Sequence, residues 1–130
     1  MTILVDTSAL IAIIQNEPEA QSFGTCLAAA TAAAIPASCY LEACMVLRRR
    51  PDGRADLDQL LAMASVTIKT IDEAVARLAA DAFARYGRGT GHPAQLNFGD
   101  CISYATAKHL DCPLLFKGDD FRHTDVKAAL

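Results

Sequence analysis

The chain of 130 residues is defined first by what it lacks. No apolar stretch is long and clean enough to span a bilayer, which excludes a membrane-spanning helix. The N-terminus has no basic opening, enters a strand-like pattern at once and is interrupted by Asp6, which argues against a secretory leader. There is no C-x-x-C pair. The five cysteines, Cys26, Cys39, Cys44, Cys101 and Cys112, are odd in number, and several stand in apolar stretches. They read as free thiols of a reducing cytosol, not as a disulfide framework. No His/Cys grouping has zinc-binding spacing. Repeats, linkers and low-complexity tails are missing too. So is a basic excess, since the net charge is −3. Nucleic acid is not thereby excluded, because counterion release needs only a local basic patch, and an acidic site loaded with a divalent cation reverses its local sign.

What is present is a composition 52% hydrophobic, much of it alanine, and long enough for one domain with a real core. Thr2 to Val5 reads as a short buried strand. Thr7 or Ser8 can cap a helix running from Ala9 through Ile14, and Pro18 suits the first turn of a second helix toward Ala30. Thr31 to Ile35 is a strand candidate despite its alanines. Ser38 looks like the cap of a helix through Leu41, Cys44, Met45 and Arg48. Arg50-Pro51-Asp52-Gly53 is a turn, Asp56 to Met63 a helix and Val66 to Ile68 a strand. Asp72 caps the clearest helix, with Val75, Leu78, Ala79, Ala82, Phe83 and Tyr86 at helical spacing and Gly87 at its end. A loop from Gly87 to Pro93 follows. Asn97 caps another helix with Asp100 as its capping-box acid, and Leu114 to Phe116 is a final strand. Strands alternating with helices predict an α/β fold, a three-layer α/β/α sandwich around a mostly parallel sheet, formed by residues 1–130 as one domain.

Four acids stand at the edges of these elements: Asp6, Glu42, Asp100 and Asp119. Alternating α/β folds gather the carboxyl ends of their strands along one rim. Carboxylates collected there repel unless a hard cation lies between them, and Mg²⁺ and Mn²⁺ prefer such oxygens. Each acid also has a plainer reading. Asp6 suits a helix start, Glu42 an exposed helix face, Asp100 a capping box and Asp119-Asp120 a turn. With Thr7 and Ser8 offered as caps, Asp6 is left free for other work, and Ser8 can bond a neighbouring carboxylate or a metal-bound water. Arg85, Arg88, His92 and Lys117 are candidates for phosphate contact. Removing charge from a crowded cleft is expected to leave the metal-free protein as stable as before, or more so.

Taken in order, these residues resemble a known family. Val5-Asp6-Thr7-Ser8-Ala9-Leu10, Ser38-Cys39-Tyr40-Leu41-Glu42-Ala43, Leu96-Asn97-Phe98-Gly99-Asp100-Cys101 with Tyr104 and Ala105, and Leu114-Leu115-Phe116-Lys117-Gly118-Asp119-Asp120-Phe121 are similar to the blocks of PIN-domain ribonucleases, specifically VapC-type toxins. The blocks span nearly the whole chain. The resemblance implies a compact α/β/α sandwich, Mg²⁺- or Mn²⁺-dependent cleavage of RNA, a VapB-type antitoxin and a homodimer; the cytoplasmic location is the one the free thiols predict. It implies Asp6 and Asp100 as metal ligands, with Glu42 and Asp119 as further or water-mediated ones. Many relatives carry the last acid where this chain has Gly118; Asp119 is the neighbouring replacement and Asp120 the alternative. The antitoxin is expected to dock an apolar helix near Leu10, Ile13 and Ile14 and to set an arginine against acids ringed by Arg48, Arg85, Arg88 and Lys117.

Three other readings compete. A haloacid-dehalogenase-like phosphotransfer site needs an aspartate two residues after Asp6, where this chain has Ser8. A phospho-receiver domain needs an acidic pair after the first strand, and the Asp119-Asp120 pair lies at the other end. A catalytically silent module that only binds an antitoxin or RNA would not need its acids.

Overall fold

The computed structural model describes every residue from Met1 to Leu130. Four short strands, β1 (Thr2–Val5), β2 (Ala32–Pro36), β3 (Val66–Lys69) and β4 (Leu114–Leu115), make one sheet in the order β3-β2-β1-β4. Every pairing is parallel, so the sheet is wholly rather than mostly parallel. Paired helices cross between successive strands: α1 (Thr7–Ile14) with α2 (Ala20–Ala29), α3 (Ala37–Val46) with α4 (Gly53–Met63), and α5 (Glu73–Tyr86) with α6 (Phe98–Leu110). A 3₁₀ turn over Asp120–His123 follows β4.

Strand side chains alternate between two cores, as a period of two requires. Ile3, Val5, Ala33, Ile35 and Leu115 pack with Leu10, Phe23, Leu27, Leu57 and Leu61 of α1, α2 and α4. Leu4, Ala34 and Leu114 pack with Ala82, Tyr86, Tyr104 and Phe121 on the other side. The expected α/β/α sandwich is therefore the observed one. The alanine-rich strand forms because β2 is central, paired to β1 and β3, and small side chains let helices approach both faces. Strand order reverses between β1 and β4, and in open parallel sheets the crevice at such a reversal is where ligands bind.

Several local expectations change. The first helix begins at Thr7 with Asp6 itself as its cap, not with Thr7 or Ser8. Pro36 precedes α3 with no side-chain cap, and the expected cap Ser38 lies inside its first turn with Oγ buried and unpartnered. Pro18 lies in the turn before α2 rather than in its first turn. Gly87 closes α5 at φ −70°, not in the left-handed region. Its missing side chain serves close approach instead, because a Cβ there would come within 2.4 Å of the Phe83 carbonyl oxygen.

Apolar surface is also redistributed. Leu10 is fully buried, and Ile13 and Ile14 pack against the core, so they are not the surplus apolar surface that the sequence suggested. The surplus lies on α3. Cys39, Ala43 and Leu47 face the core, and two small residues in that row let the helix sit close; Leu41 (63%), Met45 (58%) and Val46 (47%) are left exposed. No helix is long and apolar enough to cross a membrane. All five cysteines are free.

Candidate metal centre

Asp6 follows β1 directly and is only 5% exposed. Its Oδ2 accepts from the Ser8 backbone N–H at 3.0 Å and the Ser8 hydroxyl at 2.7 Å. Its Oδ1 accepts from the Ser103 hydroxyl at 2.6 Å. A carboxylate has about four lone-pair sites, so three protein donors leave roughly one open, on Oδ1. Asp6 thus caps a helix and joins a cluster at the same time; the two readings are not alternatives. Ser8 ties this acid to the other strand at the reversal point, because its hydroxyl accepts from the Lys117 backbone N–H at 3.0 Å.

Glu42 reaches the same place from α3. Thr7 donates its hydroxyl to Oε1 at 2.6 Å, and Oε2 has no protein donor. Opposite it stands Gly99 in the first turn of α6. A Cβ on Gly99 would fall 2.7 Å from Glu42 Oε2, so only glycine admits the carboxylate in this position. Asp100, next in sequence, completes the expected capping box. Its Oδ2 accepts from the Asn97 N–H at 3.0 Å, and its own N–H donates to Asn97 Oδ1 at 2.8 Å. Its Oδ1 has no protein donor.

Asp6, Glu42 and Asp100 line one cavity of about 330 Å³, together with Thr7, Ser8, Ile11, Glu17, Val46 and Lys117. Burial raises the Asp100 carboxyl to about 6. The Asn97 N–H opposes that rise, and the charges of Asp6, Asp120 and Glu42 reinforce it. Of the acidic pair after β4, Asp120 is therefore the one whose charge is felt at Asp100. Both acids of this pair are exposed and neither Asp119 nor Asp120 lines the cavity; Asp119 precedes the 3₁₀ turn and Asp120 begins it.

Among the basic residues expected around the rim, only Lys117 lines the cavity. Its Nζ is held by Glu17 at 2.6 Å and Glu19 at 3.3 Å. Arg85 lies over the Tyr86 ring and 3.9 Å from Asp125, which also takes Lys108. Lys108 is eight residues beyond Asp100 on α6, about 12 Å along the helix axis. Arg48 turns back to the Met45 carbonyl, and Arg88 is exposed and does not line the cavity. Sequence reasoning missed Thr7 as the partner of Glu42, and it missed Glu17, Gly99 and Ser103. Only Gly99 left a trace, as a glycine in a helix start where propensity disfavours it.

The donor set fits a hard divalent cation. Each of the three carboxylates is tied to the protein by at least one oxygen and keeps unused acceptor capacity. No three His, Cys, Asp or Glu side chains close on one point as a cage. A cation held here would therefore keep several water ligands beside one or two carboxylates.

The geometry divides the expectation that charge removal is harmless to the metal-free protein. Asp6→Asn should lower stability by about 1–2 kcal/mol, since an amide cannot accept from both Ser8 and Ser103 as the carboxylate does. Asp100→Asn should do the opposite at neutral pH. Its carboxyl is raised when folded, so the folded state holds the extra proton. The stability this confers is complete below about pH 4 and is lost as pH rises through about 6. Urea unfolding in a chelator between pH 4 and pH 8 checks both. The parent should lose roughly 1–2 kcal/mol over that range from this group, after discounting for solvent screening, and Asp100→Asn should not. A parent curve matching that of Asp100→Asn would refute the assignment.

The profile of the PIN domain family matches residues 3–127. Ribonuclease VapC28 of Mycobacterium tuberculosis is 47% identical over 129 residues, covering 98% of this chain and 97% of that protein. Ribonuclease VapC of Mycolicibacterium smegmatis is 44% identical over 128 residues, covering 96% and 98%. Among solved structures, Mycobacterium tuberculosis VapC20, described as a sarcin-ricin loop cleaving toxin, aligns with a TM-score of 0.74 at 16% identity over 95% of each chain. A toxin–antitoxin complex from Klebsiella pneumoniae aligns at 0.70 with 21% identity, covering 92% of this chain and 89% of that one. The two structures show a shared fold, while the profile and the sequence relatives go further: the chain belongs to the PIN domain family, among members named VapC ribonucleases.

Proposed function

We propose that residues 1–130 form a single nuclease domain that acts in the cytoplasm as the toxin of a type II toxin–antitoxin pair, cleaving RNA phosphodiester bonds with the help of Mg²⁺ or Mn²⁺. The observation that carries this reading is the cavity at the β1/β4 reversal, lined by carboxylates from three distant segments with acceptor capacity to spare. Asp6 and Asp100 would hold the cation, with Glu42 and Asp120 contributing directly or through water; Asp120 replaces Asp119 in this role because its charge reaches Asp100. Bound there, the cation supplies a more acidic water and a Lewis acid for the phosphate oxygens. Thr7, Ser8 and Asn97 orient the carboxylates. Lys117 offers the cavity's one cationic side chain to a phosphate, on release from Glu17 and Glu19. Arg85 and Arg88 are left as contacts for RNA beyond the cavity. Five free thiols suit the reducing cytoplasm.

The partner is a VapB-type antitoxin. Its apolar helix would lie on the Leu41–Met45–Val46 stripe, which borders the acids because Val46 also lines the cavity. An arginine beyond that helix could then reach the carboxylates. A second copy of the chain would cover the apolar groove between α5 and α6, where Phe83 and Phe98 are exposed, giving a homodimer.

Incubation with mixed cellular RNA, with and without Mg²⁺, and mapping of new ends tests the activity. Expression of the chain alone should arrest growth, and the product of the adjacent small reading frame should relieve the arrest. The absence of new ends with either Mg²⁺ or Mn²⁺ would select the catalytically silent module instead.

Gly99→Ala gives a sharper check. The added Cβ displaces the Glu42 carboxylate, the movable end of a flexible side chain, and breaks its bond to Thr7. Alanine also favours the helix by up to about 1 kcal/mol. The variant should therefore unfold at the same or higher urea concentration while its cleavage rate falls by about tenfold or more. Equal loss of both would mean that Gly99 matters only for folding.

A further inference from the structure

Ser103 lies on α6, 97 residues from Asp6, and is fully buried. Its hydroxyl has one proton, and the Asp6 carboxylate can only accept, so that proton goes to Asp6 Oδ1 at 2.6 Å. Cys39 of α3 stands 3.4 Å from the same hydroxyl. With the Ser103 proton committed, the thiol must be the donor in that contact. Burial raises the Cys39 thiol to about 12, with the charge of Asp6 acting in the same direction, so it keeps its proton. A directed chain results: Cys39 to Ser103 to Asp6.

The final torsion of an aspartate is soft, with broad minima. Ser8 holds Oδ2 from one side. Nothing else on β1 or α1 bonds Oδ1, so the angle of the carboxylate, and the direction of its one open lone pair, depends on α6.

We propose that Ser103 is a positioning residue for this centre, fixing the Asp6 carboxylate in the orientation that binds the divalent cation. This rests on the reading of the cavity as a metal centre. Nothing in the sequence around Ser103 marks it out, since serine within a helix is more often a neutral filler or a bond to its own backbone.

Mn²⁺ binding to the purified protein without RNA, followed by electron paramagnetic resonance, provides the test. Ser103→Ala should weaken the Mn²⁺ dissociation constant by about tenfold or more, the usual effect of losing a group that orients a ligand. Its urea midpoint in a chelator should fall somewhat, because the buried Asp6 carboxylate loses a charge-assisted donor even though alanine suits the helix, so Mn²⁺ binding is to be measured well below the unfolding transition. Cys39→Ala removes a larger atom from the same packed spot but leaves the Ser103–Asp6 bond intact, so Mn²⁺ affinity should change by less than about threefold. If Ser103 only fills space, Cys39→Ala will weaken Mn²⁺ at least as much as Ser103→Ala, and the inference falls. It also falls if Ser103→Ala binds Mn²⁺ like the parent. Should Ser103→Ala fail to fold, the Ser103 hydroxyl proton of the parent gives the answer by nuclear magnetic resonance: slow exchange with water in a chelator is expected, and free exchange overturns the proposal. Failure of the parent to bind Mn²⁺ at all would instead refute the metal-centre reading on which the proposal rests.

Discussion

Asp6→Asn and Asp100→Asn are each expected to lower metal-dependent RNA cleavage by at least about 100-fold, more than the loss of a merely orienting group. The amide keeps the size of the side chain and removes the charge that holds the cation. Asp100 has an oxygen free of protein donors, and Asp6 has one remaining lone pair on an oxygen otherwise held by Ser103. The two variants should fail for the same chemical reason but differ in stability, Asp6→Asn less stable and Asp100→Asn more stable at neutral pH when metal is absent. Rates are therefore to be measured well below either unfolding temperature, on one RNA, with saturating Mg²⁺. Asp120→Asn should slow cleavage more than Asp119→Asn, because of the two it is Asp120 whose charge raises the Asp100 carboxyl. Cleavage near the parent rate by either Asp6→Asn or Asp100→Asn would remove that acid from the centre.

The second large effect concerns the partner. Leu41→Glu or Met45→Glu should weaken the antitoxin complex by about 100-fold or more, while cleavage by the free protein changes less than about threefold. These side chains are 63% and 58% exposed, so replacing them disturbs no core. A charge buried in an apolar helix–groove contact removes a central anchor, and such anchors carry about 2–4 kcal/mol, with each 1.4 kcal/mol worth about tenfold in affinity. Titration of the variant with the product of the adjacent reading frame supplies the measurement. Binding within threefold of the parent would move the docking site off α3. A parallel fall in cleavage would show that the stripe serves the nuclease itself.

The expected elements survive in the structure wherever the signal is local. Asp72 caps α5 through its bond to the Val75 N–H, and Asn97 and Asp100 form the capping box written into their three-residue spacing. Errors arise where two local solutions compete. Thr7, Ser8 and Asp6 are all acceptable caps, and the chain uses Asp6 because its Oδ2 can also take the Ser8 hydroxyl. On α3, Leu41, Cys44 and Met45 share helical spacing, as do Cys39, Ala43 and Leu47. Periodicity alone does not say which row packs, and closeness to the sheet selected the row with small residues.

The sequence by itself determined the alternation of strands and helices, the four blocks and the acids Asp6, Glu42 and Asp100, because strand runs, caps and motif spacing act over a few residues. Tertiary structure alone decided how those acids are held. The Thr7–Glu42 bond spans 35 residues, the Ser103–Asp6 bond spans 97, and Gly99 matters only because α3 brings a carboxylate against it. It also set Asp120 where its charge raises the Asp100 carboxyl, and it left Lys117 alone of the expected cations lining the cavity. These outcomes follow from the parallel register of β1 with β2 and β4, which sets where each helix start arrives. A register is a relation between segments distant in the chain, and no local pattern of residues encodes the distance between two side chains that it brings together.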